Sequence, residues 1–337
     1  MLNRFKTHML AGAVAAAFVM GGVASAQAKE LKLSLWFGDT HFMTSKLFKP
    51  FAENVKKYSN GELDVVIYGS SALGKINDQA SLVENGIADM AMIVPSYTRG
   101  RFPIVEEGSL PFAFSSATEG NKVWAQLKPY LEEDFKDFKF VFMTMNTPGA
   151  ILTSKKPLAH LDDLKGLRIT GSGGAQQKFL QDLGVVADFI PISERYVALE
   201  RGTLDGTIMP VASAPGYKME EVTKYINQLN FSATPLVVIM NKGTWEGLSK
   251  SQQEAIDKAA AEAFAAAGPA YDAEESASLD KLLKADGEVV NFPAEDMAKL
   301  KELVQPLWNE EQKALAGKTD KADKFFEDFR AAIKAAN

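Results

Sequence analysis

The chain has 337 residues, a formal net charge of −6 and no cysteine. The absence of cysteine excludes a disulfide framework and a thiol site, so a fold of this size must rely on its hydrophobic core. The acidic balance argues against nucleic acid and anionic lipid as partners, because both are recognised through excess positive charge.

The first 26 residues have the pattern of a secretory signal peptide. Arg4 and Lys6 give a basic start, residues 9–23 are apolar, and Ala24-Ser25-Ala26 forms a small-residue cleavage site. A cut after Ala28 fits equally well. The apolar run is shorter than the roughly 20 residues of a membrane-spanning helix, and no later stretch is long enough. We therefore expect an exported protein, whose 35 basic and 43 acidic residues give a net charge of −8.

The first half of the exported chain alternates strand and helix patterns, which is typical of an α/β sheet. Residues 31–37 alternate apolar and polar side chains and predict a strand. An amphipathic helix follows to about Tyr58, and residues 63–68 predict a second strand. Residues 117–135 are expected to form one helix, and residues 138–145 another strand.

A crossing into a second lobe is predicted at Thr147-Pro148-Gly149. Beyond it, residues 167–170 predict a strand that runs into the turn Gly171-Ser172-Gly173-Gly174 and then a helix. The free amides of such a turn could hold an anion at the helix N-terminus. Glycine-rich turns also occur simply for tight packing, and the sequence leaves both interpretations open.

The last third of the chain is predicted to be mainly helical. A long helix begins with a capping box formed by Ser249 and Gln252 and runs towards Lys284, which is long enough to lie across two lobes. Residues 293–337 are helical in pattern and highly charged, which favours a solvated face.

A short sequence motif occurs once in each half of the chain. Residues 82–95 and 198–210 each contain a helix end, a glycine, an aspartate three residues later and an apolar run ending at proline. Glycine closes helices well, and the apolar run suits a buried strand. Gly-x-x-Asp is common enough to recur by chance. The repeated motif nevertheless indicates two similar α/β lobes that frame one cleft at the carboxyl ends of their strands.

The chain is thus expected to divide into two lobes and a tail. Lobe I comprises residues 27–146 and about 232–268, and lobe II comprises residues 147–231 and about 269–310. Residues 311–337 are expected to form a C-terminal helical tail.

The sequence contains no recognised catalytic motif. Beyond the signal peptide there are two histidines, His41 and His160, and neither has the spacing of a metal ligand. A nucleophile elbow, a zinc-protease helix and a P-loop are all missing. We therefore expect no enzyme activity, no metal and no cofactor.

An ordered set of short motifs spans the exported chain: Tyr68-Gly69-Ser70-Ser71-Ala72-Leu73-Gly74, Gly86-Ile87-Ala88-Asp89, Arg101-Phe102-Pro103, Leu110-Pro111-Phe112, residues 163–169, residues 194–199 and Met240-Asn241-Lys242. Together they resemble the DctP-type solute-binding proteins of tripartite ATP-independent periplasmic (TRAP) transporters. The resemblance implies an α/β, two-lobed periplasmic-binding-protein fold, type II-like, with a long helix spanning both lobes. It also implies a periplasmic protein that captures a small organic acid by hinge closure and delivers it to an ion-gradient-driven permease. A monomer is expected.

The resemblance also implies where the acid binds. Family members usually hold the substrate carboxylate with an arginine on the strand after Leu-Lys-Gly. That position is Thr170 here, and Arg168 lies two residues earlier on the same strand face. Arg168 is therefore expected to form the ion pair with the acid. The alternative is a surface arginine, with Thr170 and the amides of residues 171–174 meeting the ligand.

Other candidate ligand contacts follow from the same resemblance. Met209 stands where many family members have asparagine, which implies an apolar wall and a substrate with a hydrophobic part. Cleft-facing loops of the family correspond to Phe37, His41, Tyr97 and Tyr217. The hydroxyl of Ser71 and the ring of His41 could donate hydrogen bonds to the ligand. The alternative is core packing for Phe37, Tyr97 and Met209, a loop histidine with satisfied hydrogen bonds for His41, and strand termination for Ser71.

Three other functions remain open from the sequence. The same fold could bind a neutral or cationic solute, in which case Asp39 and Glu106 would matter. It could serve as an extracytoplasmic ligand sensor. An exported lyase or isomerase that uses cleft carboxylates is the third.

Overall fold

The computed structural model describes residues 28–186 and 188–336. The predicted signal peptide, residues 1–26, lies outside the described residues. The strands are, in chain order, β1 (Lys29–Ser34), β2 (Leu63–Tyr68), β3 (Met90–Ile93), β4 (Phe138–Met145), β5 (Ala150–Thr153), β6 (Ile169–Thr170), β7 (Gly206–Met209), β8 (Tyr225–Asn227), β9 (Pro235–Asn241) and β10 (Glu288–Val289). The α-helices are α1 (Lys49–Tyr58), α2 (Gln79–Glu84), α3 (Pro103–Glu106), α4 (Ala117–Gln126), α5 (Lys128–Asp134), α6 (Gly174–Asp182), α7 (Arg195–Glu200), α8 (Lys242–Glu246), α9 (Lys250–Lys284), α10 (Ala294–Leu303), α11 (Gln305–Ala316) and α12 (Ala322–Ala336).

Within the described part of the chain, the strands form two five-stranded sheets, ordered β2-β1-β3-β9-β4 and β10-β8-β5-β7-β6. In the first sheet β1 is parallel to β2 and β3, and β9 is antiparallel to β3 and β4. In the second sheet β6 is parallel to β7, and β5 is antiparallel to β7 and β8. We call the parts of the molecule built on these sheets the first and the second lobe. The predicted two-lobed α/β fold is confirmed.

The repeated motif folds as the same helix-turn-strand unit in each lobe, as predicted. In the first lobe α2 leads through Gly86 into β3, and in the second lobe α7 leads through Gly202 into β7. The φ angles of these glycines are 69° and 68°, a conformation that a residue without a Cβ atom adopts at little cost. Every residue of β3 and β7 is buried, which explains why Thr207 is the one polar side chain in these two strands.

The long helix α9 contacts both lobes, as predicted. Asp272 accepts a hydrogen bond from the backbone N–H of Ala117 at 2.9 Å, at the start of α4 in the first lobe. Nearly one turn later, Glu275 accepts the backbone N–H of Ala212 at 2.8 Å, just after β7 in the second lobe. Two carboxylates on one helix thus bond to a helix start in each lobe, α4 in the first and the 3-10 helix Val211–Tyr217 in the second, where negative charge is favoured.

Two chain crossings run side by side between the lobes. The Oδ1 atom of Asn146 accepts the backbone N–H of Thr234 at 2.7 Å, and the N–H of Gly149 donates to the carbonyl of Ser232 at 3.0 Å. Together with α9 and the segment that leads from β10 through α10 and α11 to α12, these crossings connect the two lobes covalently. None of the helices in the described ranges combines the length and apolar character needed to cross a membrane.

The prediction of one helix over residues 117–135 was wrong. The chain forms α4 and α5 with a break at Leu127, and Pro129 is the second residue of α5. Proline lacks the N–H that a continuing helix would need, but it fits the first turn of a new helix.

The sequence predicted a solvated face for the tail, and only one side of α12 has that character. The opposite side buries Phe325, Phe326 and Phe329 completely. The ring of Phe329 lies 6.0 Å from that of Trp124 on α4 and stacks on that of Trp308 at 5.8 Å. The tail therefore completes the core of the first lobe.

Candidate ligand-binding cleft

A cavity of about 40 Å³ lies between the lobes, at the ends of β3 and β7 and against the middle of α9. Most of the side chains that line it are aromatic or aliphatic, and they come from both lobes. Five of the eight predicted ligand contacts line this cavity: Phe37, His41, Tyr97, Met209 and Tyr217. Arg168, Thr170 and Ser71 do not line it.

Arg168 faces away from the cleft, so its expected place there is corrected. Its guanidinium forms a bidentate pair with Asp205, with Nη2 to Oδ1 at 2.7 Å and Nε to Oδ2 at 3.0 Å. The reason lies in the repeat. Asp205 accepts the backbone N–H of Arg168 at 2.9 Å, just as Asp89 accepts that of Lys32 at 2.8 Å in the first lobe. The repeat thus holds Arg168 at the start of β6, whereas the cleft lies beyond the end of that strand.

Thr170 and Ser71 are engaged within the protein. The Oγ1 atom of Thr170 accepts the backbone N–H of Ile190 at 2.9 Å, and Thr170 has no exposed surface. The hydroxyl of Ser71 donates to the carbonyl of Trp36 at 3.3 Å. Thr170 therefore supports the wall behind the cleft, and Ser71 secures the loop after β2.

The glycine-rich turn before α6 is occupied by the protein's own side chains. The backbone N–H of Gly171 donates to Oε1 of Gln177 at 3.0 Å, and that of Ser172 donates to Oε1 of Gln176. These bonds favour the tight-packing interpretation of the turn. The anion site considered as the alternative to Arg168 is not available at these two amides.

The cation in the cleft is Arg195, the first residue of α7. Only 1% of its surface is exposed, which is unusual because arginine is rarely buried completely. One sequence signal could have found it: Arg195 precedes Ala198 and Leu199 by three and four residues, so it lies on the buried face of the helix.

Protein groups surround the guanidinium of Arg195. The Nε atom donates to the carbonyl of Ile190 at 2.9 Å, and Nη1 donates to Oγ1 of Thr207 at 3.1 Å and to the carbonyl of Ile208 at 2.9 Å. The Nη2 atom donates to the carbonyl of Gly171 and, across the cleft, to the hydroxyl of Tyr97 at 3.4 Å. The last of these bonds is the longest.

Every one of these acceptors is neutral. Among the described residues, Arg195 forms no salt bridge with an aspartate or glutamate. Burial lowers the pKa of Arg195, and the nearby tyrosine Tyr97 opposes that shift only in part. Arginine nevertheless stays protonated in proteins. The cleft therefore contains a buried positive charge without an anionic partner, an arrangement that costs several kcal/mol unless an anion is supplied.

His41 is a neutral hydrogen-bonding group in the cleft. Its ring lies 4.5 Å from that of Phe37 and 5.1 Å from that of Phe42. The Nδ1 atom accepts the backbone N–H of Met43 at 3.3 Å, which leaves the ring proton on Nε2. Burial lowers the pKa of His41 to about 4. At neutral pH the ring can donate a hydrogen bond but carries no charge.

The burial of His41 predicts a pH dependence of stability. Its pKa is about 4 in the folded protein and about 6.5 in the unfolded chain, so only the unfolded chain takes up the proton between these values. The contribution to stability is complete above pH 6.5 and is lost as the pH falls through 4, at about 1.4 kcal/mol per pH unit. We expect the difference in unfolding free energy between the wild type and His41→Phe to change by about 3 kcal/mol from pH 7 to pH 4.

Urea unfolding of both proteins across this pH range measures that difference. Comparing the two proteins is essential because burial also raises the pKa of Asp134 to about 7. This shift makes both proteins more stable as the pH falls, opposite to the effect of His41, and it cancels in the difference. A constant difference across the range would show that His41 is not buried as a neutral ring.

The two lobes are closed on each other. The indole N–H of Trp36 donates to the hydroxyl of Tyr217 at 2.9 Å, and the hydroxyl of Ser96 donates to the carbonyl of Ser172 at 2.6 Å. The ring of Tyr97 meets that of Phe189 edge-on at 4.8 Å. Each of these contacts joins the first lobe to the second, so each must break when the cleft opens.

Asp39 and Glu106, the candidates for a cationic solute, do not line the cavity. Glu106 accepts the backbone N–H of Gly100 at 2.7 Å instead. In the described ranges, no cluster of three or more histidine, aspartate or glutamate side chains is arranged to hold a metal ion.

Comparison with known proteins identifies relatives along most of the chain. Residues 35–314 match the family DctP, described as bacterial extracellular solute-binding protein, family 7. The chain is 28% identical over 285 residues to the C4-dicarboxylate-binding periplasmic protein DctP of Rhodobacter capsulatus, covering 80% of this chain and 82% of that protein. It is 28% identical over 257 residues to the 2,3-diketo-L-gulonate-binding periplasmic protein YiaO of Escherichia coli, covering 74% of this chain and 78% of that protein.

One solved structure is similar to this chain in both fold and sequence. It is a TRAP solute-binding protein of an unidentified marine microbe, specific for aromatic acid ligands and crystallised with 3-hydroxybenzoate. The two chains superpose with a TM-score of 0.87 at 27% identity, over 92% of this chain and 99% of that one.

Proposed function

The chain belongs to the DctP family of bacterial extracellular solute-binding proteins, and we propose that the solute it captures is an aromatic monocarboxylic acid. The observation that carries the proposal is the buried guanidinium of Arg195, which lines the cleft and has only neutral protein partners. A carboxylate supplies the missing negative charge and forms a strong, charge-assisted hydrogen bond with it.

The number of charges in the cleft favours a monoacid. Arg195 is the one lysine or arginine among the described residues that line the cavity, and His41 is neutral because of its low pKa. A second carboxylate would enter the cleft without a cation and would pay for its desolvation. The C4-dicarboxylate of the Rhodobacter capsulatus relative therefore fits this cleft poorly.

The other side chains that line the cavity favour an aromatic acid over a polyhydroxylated one. Phe37, Met209 and Tyr217 face the cavity, and the hydroxyl of Tyr217 already bonds to Trp36. Aromatic side chains and methionine provide flat, adaptable apolar contacts, whereas a sugar acid needs many free polar partners. The structural relative with 3-hydroxybenzoate supports the same choice of substrate class.

Arg195 is placed to take over the role that the family gives to an arginine on β6. The expected position holds Thr170, yet the guanidinium of Arg195 reaches the carbonyl of Gly171, the next residue along the chain. It also bonds to Thr207, which pairs with Thr170 in the sheet. We infer that the positive charge is kept in nearly the same place but is supplied from α7.

Capture proceeds by closure of the lobes. Arg195 belongs to the second lobe, and Phe37, His41 and Tyr97 belong to the first. An acid that touches both sides binds the closed form more tightly, and this differential affinity shifts the equilibrium towards closure.

The rest of the proposal follows the family. We propose that residues 1–26 direct export to the periplasm, that the closed form passes its ligand to a TRAP permease, and that the protein acts as a monomer without chemical turnover. Arg168, Thr170 and Ser71 are given no direct contact with the ligand. The lobe boundaries at residues 146, 231 and 268 stay a prediction.

A thermal-stability screen tests the proposal. We expect benzoate, 3-hydroxybenzoate and mandelate at about 100 times their dissociation constants to add about 2.7 kcal/mol of stability. Succinate tests whether the cleft accepts a second carboxylate, and galacturonate tests whether it accepts a polyhydroxylated acid. Benzamide tests whether binding needs a negative charge. Equal stabilisation by benzamide, or stabilisation only by succinate or galacturonate, would refute an aromatic monoacid.

A further inference from the structure

The phenolic oxygen of Tyr97 lies where two hydrogen-bond donors of the second lobe converge. It accepts Nη2–H of Arg195 at 3.4 Å and the backbone N–H of Ile192 at 3.3 Å. Both distances exceed the usual 2.9 Å, and they greatly exceed the 2.7–2.9 Å typical of charge-assisted bonds. A neutral oxygen from the first lobe thus fills a position that a carboxylate oxygen would fill more strongly.

This position is the place on Arg195 where a ligand can bind most easily. The Nε and Nη1 atoms bond to Ile190, Thr207 and Ile208 at 2.9–3.1 Å, all on the same lobe. Breaking any of those bonds would take a charged donor away from a buried carbonyl or hydroxyl. Only the bond to Tyr97 is long and crosses the cleft, so it is the one that an acid replaces at least cost.

The space around Tyr97 leads to the same conclusion. The inner cavity has about 40 Å³, whereas a cavity known to hold benzene has about 150 Å³, so an aromatic ring needs more room. Tyr97 also lines a second cavity, of about 540 Å³, together with Arg99, Gln177 and Phe189. Because Tyr97 lines both cavities, we expect displacement of its side chain to join them.

We propose that the Tyr97 hydroxyl is an internal substitute for the substrate carboxylate. It holds the position between Arg195 Nη2 and the Ile192 N–H in the closed protein, and the acid expels it towards the outer cavity. This inference rests on the proposed function and adds to it a second anion donor, the backbone N–H of Ile192, and a competitor within the chain. The affinity for acids is then set by how firmly Tyr97 holds its position.

The first test removes the competitor while keeping its ring. In Tyr97→Phe the two donors have no partner in the closed protein until an acid arrives, so calorimetric titration should give a dissociation constant for benzoate about tenfold lower than in the wild type. Tyr58→Phe is the matched control, because it removes a hydroxyl of the first lobe that bonds to exposed Glu262. We expect its dissociation constant to stay within about twofold of the wild type.

The second test removes the proposed donor and stays informative even if Tyr97→Phe fails to fold. Ile192 is the first residue of the 3-10 turn Ile192–Glu194, where proline is tolerated, and Pro191 before it has the extended backbone that a following proline requires. Ile192→Pro should weaken benzoate binding at least tenfold relative to Ile192→Ala, which loses the side chain but keeps the N–H.

The outcomes separate the two claims. If the wild type binds benzoate but Tyr97→Phe binds it equally or more weakly, or if the two Ile192 variants bind alike, the internal-substitute inference is wrong and the proposed function stands. If the wild type binds no aromatic acid at all, the proposed function fails and the inference fails with it.

Discussion

Replacing Arg195 with glutamine is expected to weaken the binding of aromatic monoacids by between about 30-fold and several thousand-fold. Removing one partner from a buried, hydrogen-bonded charge pair costs about 2–5 kcal/mol, and each 1.4 kcal/mol corresponds to a factor of ten. Glutamine keeps an amide donor near Thr207 and Ile208, so the loss reports mainly the missing charge. Titration calorimetry with benzoate measures the effect, and circular dichroism checks that the variant is folded.

Arg168→Gln is the matched control for this experiment. Arg168 is also an arginine of the second lobe, but its side chain is 45% exposed and pairs with Asp205 outside the cleft. An exposed ion pair contributes at most about 1 kcal/mol, so stability should change little and the affinity for benzoate should stay within about twofold. Loss of binding in Arg168→Gln together with retained binding in Arg195→Gln would restore the site that the sequence alone suggested.

Phe329→Ala is expected to lower the free energy of unfolding by about 3–5 kcal/mol. The side chain is fully buried, and its ring lies 5.4 Å from Phe325 and 5.9 Å from Phe114 in addition to the contacts with Trp124 and Trp308. Truncation opens a cavity where the tail meets the first lobe. Urea unfolding monitored by tryptophan fluorescence measures the loss.

Lys334→Ala on the same helix is the control for the tail. Its side chain is exposed, and surface substitutions usually change stability by less than about 0.5 kcal/mol. A loss below about 1 kcal/mol in Phe329→Ala would mean that α12 is not part of the folded core, in line with the solvated tail expected from its charge.

Much of the fold could be predicted from local patterns, because local physics decides those features. The predicted strands at residues 63–68 and 138–145 coincide with β2 and β4, and the capping box at Ser249 and Gln252 begins α9. The repeat predicted two lobes because a helix end, a glycine, an aspartate and an apolar run occur in the same order in each half of the chain. In each case the signal and the structure lie within the same short stretch of chain.

The binding site was harder to predict because its charge depends on contacts distant in sequence. The family comparison pointed to β6, where Arg168 shares a strand face with Thr170, but the partner that holds Arg168 is Asp205, 37 residues away. Arg195 was not predicted as a ligand contact because its partners lie on β7, at Gly171 and Ile190 in two loops, and at Tyr97 in the first lobe. The spacing of Arg195 from Ala198 and Leu199 does place it on a buried helix face, and this is the signal that reasoning by family position overlooked.

A crystal structure of the protein with 3-bromobenzoate tests the central claim most directly, because anomalous scattering from bromine locates the ligand without ambiguity. We predict bromine between the lobes and the carboxylate about 3 Å from Nη2 of Arg195, with the Tyr97 hydroxyl displaced. A carboxylate bound to Arg168, or a cleft that stays closed and holds no ligand while the acid binds elsewhere, would contradict the account.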